Sequence, residues 1–193
     1  MIEITDPTVR LTLDHELVGE EVQVGAKLFS DAKGWYLHPG CLPDETVMYR
    51  VYSYTEGNNT RSGNLNSGVT ILSPVTVAGE CNMTRGHWHE ERACVEFYYG
   101  LSGTGLLMLM DESGRTWAEH VFPGSVHHID GHWAHRLINT GDVDFAVGAC
   151  WGCNAGHDYR AVEQLPFGAR VFKEKDGSIS VVAENRQGGE VTQ

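Results

Sequence analysis

The stretch "TRGHWHEERACVEFYYGL", residues 84–101, reads as two extended segments joined by a polar turn. In a strand, residues two apart share a face, so His87 and His89 project together while Trp88 points the other way. The polar "EERA" (90–93) turns the chain, and "CVEFYYGL" (94–101) is dense in the aromatic and β-branched residues that strands favour. Glu96 can then face the two histidines from the neighbouring strand. This strand, turn, strand pattern predicts an all-β chain.

The flanking sequence repeats the pattern. "TVMYRVYSYT" (46–55), "SGVTIL" (67–72), "TGLLMLM" and "RTWAEHVF" are short strand-like runs, the last two joined by "DESG" (111–114), where Gly114 suits a tight turn. "FPGS" (122–125) is a further turn, followed by "SVHHI", "HRLINT" and "DFAVGACW". "ARVFKE" and "SISVVA" flank a turn at 175–178 and predict a last hairpin. Only "GHDYRAVEQL" (156–165) has room for a helical turn, and the Gly/Asn-rich 56–68 predicts a mobile loop. About a dozen strands with few helices predict a closed sandwich or barrel, a jelly roll in our reading.

At 193 residues the chain is long enough for one well-buried core, and a single domain over 1–193 is expected. The formal net charge of -12 argues against a nucleic-acid partner and against anionic membranes. It leaves room for a small phosphorylated ligand, which a few amides and one arginine can hold. The N-terminal residues lack a secretory pattern, and no segment approaches the roughly 20 apolar residues of a membrane-spanning helix. A soluble, cytoplasmic protein is expected. Five irregularly spaced cysteines fit a reducing compartment. The "CWGC" at 150–153 lacks the second pair of a structural zinc site and the βαβ setting of a redox site, so packing cysteines are expected.

Two imidazoles and a carboxylate on adjoining strands suit iron, manganese, nickel or zinc, with open positions for substrate oxygens. A fourth ligand is offered by "VHHIDGHWAHRLIN" (126–139), where spacing alone does not choose among His127, His128, His132 and His135. Any one histidine on a strand is ordinarily a core or surface residue. The combination is far more specific.

"GHWH", Glu96, Gly103, "FPGS" and "HWAHRLIN" resemble the two metal-binding motifs of the cupin superfamily. The gap from His89 to Glu96 is longer than the usual cupin gap. With "TRGHWH", "EFYYGLSGTG", "WAHRLINTGD" and "AGHDY", the chain is similar to the cupin-type phosphoglucose isomerases over about residues 46–160. The resemblance implies a cupin jelly-roll barrel with short terminal extensions. It also implies His87, His89, Glu96 and His135 as ligands of one divalent metal per subunit, iron(II) favoured, with manganese, nickel or zinc possible. It further implies a phosphorylated hexose substrate, isomerisation between glucose 6-phosphate and fructose 6-phosphate, and a homodimer. Glu96, His157 and Tyr159 fall at its catalytic or site-lining positions, and Tyr52, Thr70, Thr84, Gly86 and Tyr98 at its substrate-binding positions. Arg85 can add charge or face solvent, and solvent is the expectation for an alternating strand residue. Trp151 departs from the pattern, standing where the family has a tyrosine. An iron cupin dioxygenase and a non-catalytic sugar-binding cupin are the alternatives, since this barrel hosts many functions.

Overall fold

In the computed structural model, residues 2–38, 40–58 and 61–184 are described. Fifteen strands and two short α-helices follow one another along them. A small ribbon of β1 (Arg10–Leu11) and β2 (Leu17–Val18) precedes β3 (Gln23–Leu28) and α1 (Phe29–Ala32). The middle of the chain supplies β4 (Val47–Thr55), β5 (Leu65–Leu72), β6 (Thr76–Val77) and β7 (Glu80–Cys81). Next come β8 (Glu96–Ser102), β9 (Gly105–Met110), β10 (Thr116–Val121), β11 (Val126–Ile129), β12 (Ala134–Asn139) and β13 (Phe145–Gly152). The chain ends in α2 (Tyr159–Gln164), β14 (Ala169–Lys173) and β15 (Ile179–Ala183).

The largest sheet has the order β11-β8-β13-β5-β4-β3, and a second runs β10-β9-β12. All of their pairings are antiparallel. Met48, Leu72, Phe145 and Val147 from the large sheet share one buried cluster with Leu106 to Met110, Val121 and Leu137 from the smaller one. The core therefore fills the space between two facing sheets, as a jelly roll requires. Strand β9 is buried along its whole length, which explains why "GLLMLM" shows an unbroken apolar run instead of alternation.

The expected turns form as written: Asp111 and Arg115 close the β9–β10 hairpin with Gly114 at φ 87°, and β14 pairs β15 across Gly177. The helical turn in 156–165 is α2, capped by the Asp158 carboxylate, which accepts from the Ala161 N–H at 3.0 Å. Two features lie outside the expected strands. Strand β3, which the sequence reading did not foresee, edges the large sheet by pairing β4, and the expected strand β14 also pairs β7, so the sheets extend beyond 46–160 on both sides. Part of the 56–68 stretch is strand, since β5 starts at Leu65, while residues 59–60 lie outside the described set.

Candidate metal and substrate site

His87 and His89 sit on a segment held by single bridges instead of a continuous ladder. His87 bridges His135, with N–H to carbonyl distances of 3.2 and 3.0 Å, and Trp88 bridges Asp158 at 3.4 and 2.8 Å. The segment thus lies between β12 and the loop carrying His157. Extended backbone turns both histidines toward Glu96 and buries Trp88 on the other side, where its indole N–H donates to the His132 carbonyl at 3.2 Å. Glu96, the first residue of β8, is 5% exposed and faces the histidines, while its neighbour Phe97 points outward.

Ligand atoms of His87, His89, Glu96 and His135 all lie within 4.8 Å of one another. Backbone carbonyls set the tautomers: His89 Nδ1–H donates to the Cys94 carbonyl at 2.8 Å and His135 Nδ1–H to that of Trp133 at 3.3 Å. A carbonyl can only accept, so a ring carrying a single proton carries it on Nδ1 and leaves the Nε2 lone pair for a metal, whereas a second proton on Nε2 faces the carboxylate; both Nε2 atoms lie 3.2 Å from Glu96 Oε2. His135 Nε2 is buried and lacks a hydrogen-bond partner among the described residues. Burial, with His135, His157 and His89 nearby, holds His87 well below the ordinary histidine pKa and so keeps it neutral. Burial alone would raise the Glu96 carboxyl, but the imidazoles of His135 and His89 hold it below its usual range. Burial alone would lower His89, but the Glu96 carboxylate and the Cys94 carbonyl hold it above the ordinary histidine pKa, so a metal entering the group displaces any proton on its Nε2. Three imidazoles converging on an ionised carboxylate are the donor set of a divalent metal, and the group fits one.

A cavity of about 310 Å³ opens in front of these groups, within the range of small-molecule sites. His87, Glu96 and His135 border it, as do Thr70, Thr84, Arg85 and Gly86. His157 and Tyr159 stack with ring centroids 5.8 Å apart, and His157 lies 4.4 Å from the His87 ring. Tyr98 stays a phenol, since burial and then the nearby Glu96 carboxylate push its pKa well above the ordinary value.

Of the sequence-predicted residues, His87, Glu96, His135, Tyr98, His157, Tyr159, Thr70, Thr84 and Gly86 all border this cavity. His89 completes the metal group from behind and is 1% exposed. Tyr52 borders the cavity as well, while its hydroxyl donates to Glu16 at 2.7 Å and its ring packs with Leu17 and Val69 in a separate cluster. The register explains why: Val51 pairs Thr70, so Tyr49, Val51 and Ser53 share the cavity-facing parity, and Tyr52 has the other. Tyr49 and Ser53 are lining residues that sequence reasoning passed over, although matching parity with Thr70 would have found them.

Arg85 does not simply face solvent. Its guanidinium lies 4.5 Å from the Tyr159 ring centroid and pairs with Glu163. His127 bonds Glu119 and Ser125, and His132 reaches Glu112, so neither serves the metal group. His128 packs against Phe97. All five cysteines are free, and among the described residues none joins a metal-binding group.

Comparison with known proteins agrees with this geometry. Residues 26–188 match the family model "Glucose-6-phosphate isomerase (GPI)". The chain is 34% identical over 161 residues to the glucose-6-phosphate isomerase of Thermococcus kodakarensis, covering 81% of this chain and 84% of that one. It is 31% identical to the Sinorhizobium medicae enzyme of the same name, over 78% of this chain and 72% of that one. Among solved structures, oxalate decarboxylase from Bacillus subtilis aligns over 56% of this chain and 26% of that one, with 19% identity and a TM-score of 0.45. By the extent of the family match and by the identity to its relatives, this chain belongs to the cupin-type glucose-6-phosphate isomerase family.

Proposed function

We propose that the chain interconverts glucose 6-phosphate and fructose 6-phosphate with a divalent metal, iron(II) by preference, held by His87, His89, Glu96 and His135. The observation that carries this reading is the meeting, in one cavity of about 310 Å³, of a buried carboxylate with a metal-ligand set and a cluster of hydroxyl and amide donors. The family membership gives that cavity its substrate class.

The reaction moves one hydrogen from C2 to C1 and one proton from O2 to O1. The metal, when bound, supplies Lewis-acid stabilisation of the negative charge that develops on the substrate oxygens. Glu96 Oε2 lies 3.2 Å from each of the two Nε2 atoms, while no hydrogen bond from the described residues engages Oε1. We assign the two oxygens different tasks: Oε2 faces the metal position, and Oε1 takes the C2 proton and returns it to C1. The hydroxyls of Thr70 and Thr84 and the amide of Gly86 bind the phosphate. His157, exposed at the cavity edge beside Tyr159, opens the sugar ring by moving a proton between O1 and O5. Tyr98, remaining a phenol, donates a hydrogen bond to a substrate hydroxyl.

No helix among the described residues is long and apolar enough to cross a membrane. A cytoplasmic homodimer completes the proposal, and sedimentation velocity tests the dimer. The deciding experiment is conversion of fructose 6-phosphate by chelator-stripped protein before and after adding iron(II) or manganese. Metal-restored turnover is expected. Tight metal binding with no turnover would remove the isomerase reading.

A further inference from the structure

Arg136 follows a metal ligand in the chain yet points away from the metal, behind the Thr84–Gly86 segment. Arg85, Arg92 and Arg170 each pair with a carboxylate, whereas no described carboxylate pairs with Arg136. Its guanidinium instead lies 4.1 Å from the Phe167 ring centroid, reaches Met83 Sδ at 2.9 Å, and donates from Nη2 to the Arg85 carbonyl at 3.2 Å. Its Nε is buried and has no partner among the described residues. Glu80 and Glu184 act on it only at a distance and are themselves paired with Arg170, so a charge placed in this way gains from a further anion nearby.

The contact to the Arg85 carbonyl fixes a second group. In a trans peptide the N–H points opposite the carbonyl of the same unit, so a carbonyl turned to Arg136 turns the Gly86 N–H away from it. Thr84 N–H donates to Leu137 and His87 N–H to His135, but the Gly86 N–H has no partner among the described residues, and Gly86 borders the cavity. Gly86 itself rests on Arg136. With φ at 77°, a β-carbon there would lie 2.8 Å from Phe167 Cε2 and 3.2 Å from Arg136 Nε. Arg136 does not border the cavity, so it acts from behind.

We propose that Arg136 is the positioning residue of the phosphate subsite: it turns the Gly86 N–H toward a phosphate oxygen and supplies the counter-charge beneath it. The inference rests on the reading of the substrate as a phosphorylated hexose. Its test uses the zinc- or manganese-loaded full chain and the variants Arg136→Met and Arg136→Lys.

For Arg136→Met the KM for fructose 6-phosphate and the Ki of inorganic phosphate are expected to rise about tenfold or more, the scale of one charge-assisted hydrogen bond. The change in kcat should be much smaller, and metal content should stay at one per chain. Arg136→Lys, which keeps the charge and loses the planar fork, should fall between. In the zinc-loaded wild type, inorganic phosphate should shift the Gly86 amide resonance, and in Arg136→Lys that shift should need more phosphate. A folded variant with unchanged phosphate Ki, or a wild-type Gly86 amide indifferent to phosphate, would overturn the proposal. If the Met variant does not fold, the Lys variant and the amide shift decide. A wild type that shifts Gly86 with phosphate but isomerises nothing would sink the function and leave the anion subsite standing.

Discussion

The Trp151 indole lies against the bare α-carbon of Gly68: a β-carbon at Gly68 would sit 2.9 Å from Trp151 Cη2 and from the Tyr52 carbonyl oxygen. Both residues border the cavity, on β13 and β5, so the missing side chain decides where the ring rests. Gly68→Val therefore should tilt the indole over the substrate position. We expect a KM for fructose 6-phosphate raised about tenfold, in line with the usual cost of overpacking. Tryptophan fluorescence should change with the variant, and substrate should quench it differently. An unchanged KM and spectrum would mean that the ring is not held there.

Glu96→Gln keeps the size of the side chain and removes its basicity. We expect kcat to fall at least about 100-fold, the lower bound for a lost general base. In deuterated water the wild type should wash deuterium into C1 or C2 during turnover. Turnover without incorporation would replace Glu96 as base by a direct hydride shift.

Removing the metal with a chelator should lower the Tm by about 5–10 °C when the metal had been present near a hundred times its Kd. His135→Ala, which deletes the orphaned Nε2, should show almost no further change on chelation. Calorimetry with and without manganese reads both. Equal chelation shifts in the two proteins would exclude His135 as a ligand.

The acid behaviour of the metal-free protein follows from His87. Its pKa in the native state lies well below the ordinary 6.5, burial being the main cause. Below pH 6.5 the unfolded chain therefore binds a proton that the native chain does not, and stability falls as the pH drops. His87→Asn removes that contribution. Between pH 7.5 and pH 5.5 under chelator, the wild type should lose more Tm than His87→Asn, about the same buffer range in which free histidine titrates. Parallel losses would show His87 titrating normally in the native state.

Much of this site was legible because the signals were local. "GHWH" followed by a strand-borne glutamate states its own geometry, since a period of two places His87 and His89 on one face without reference to any other part of the chain. The fourth ligand was not legible in that way. His135 is selected by one antiparallel bridge to His87, a long-range pairing that spacing in "VHHIDGHWAHRLIN" does not encode. The direction of the Tyr52 ring was not legible for a related reason. Which parity of "RVYSY" faces inward depends on the register of β4 against β5, and a one-residue difference exchanges the faces. The N-terminal strands escaped notice because β3 is an exposed edge with four of its six residues polar or small, leaving little hydrophobic pattern to read.

The way the ligands are brought together bears on how fast the protein comes apart. His87 and His135 meet through a single bridge, and Leu65–Leu72 must pair with Phe145–Gly152 across most of the barrel's chain length. Contacts of such sequence separation form slowly, after long loops have closed. A metal that needs all four ligands cannot bind until they have closed, so it stabilises the finished protein and not the folding transition state. Its grip should lengthen the native lifetime by slowing unfolding, while the refolding rate stays where the barrel topology puts it.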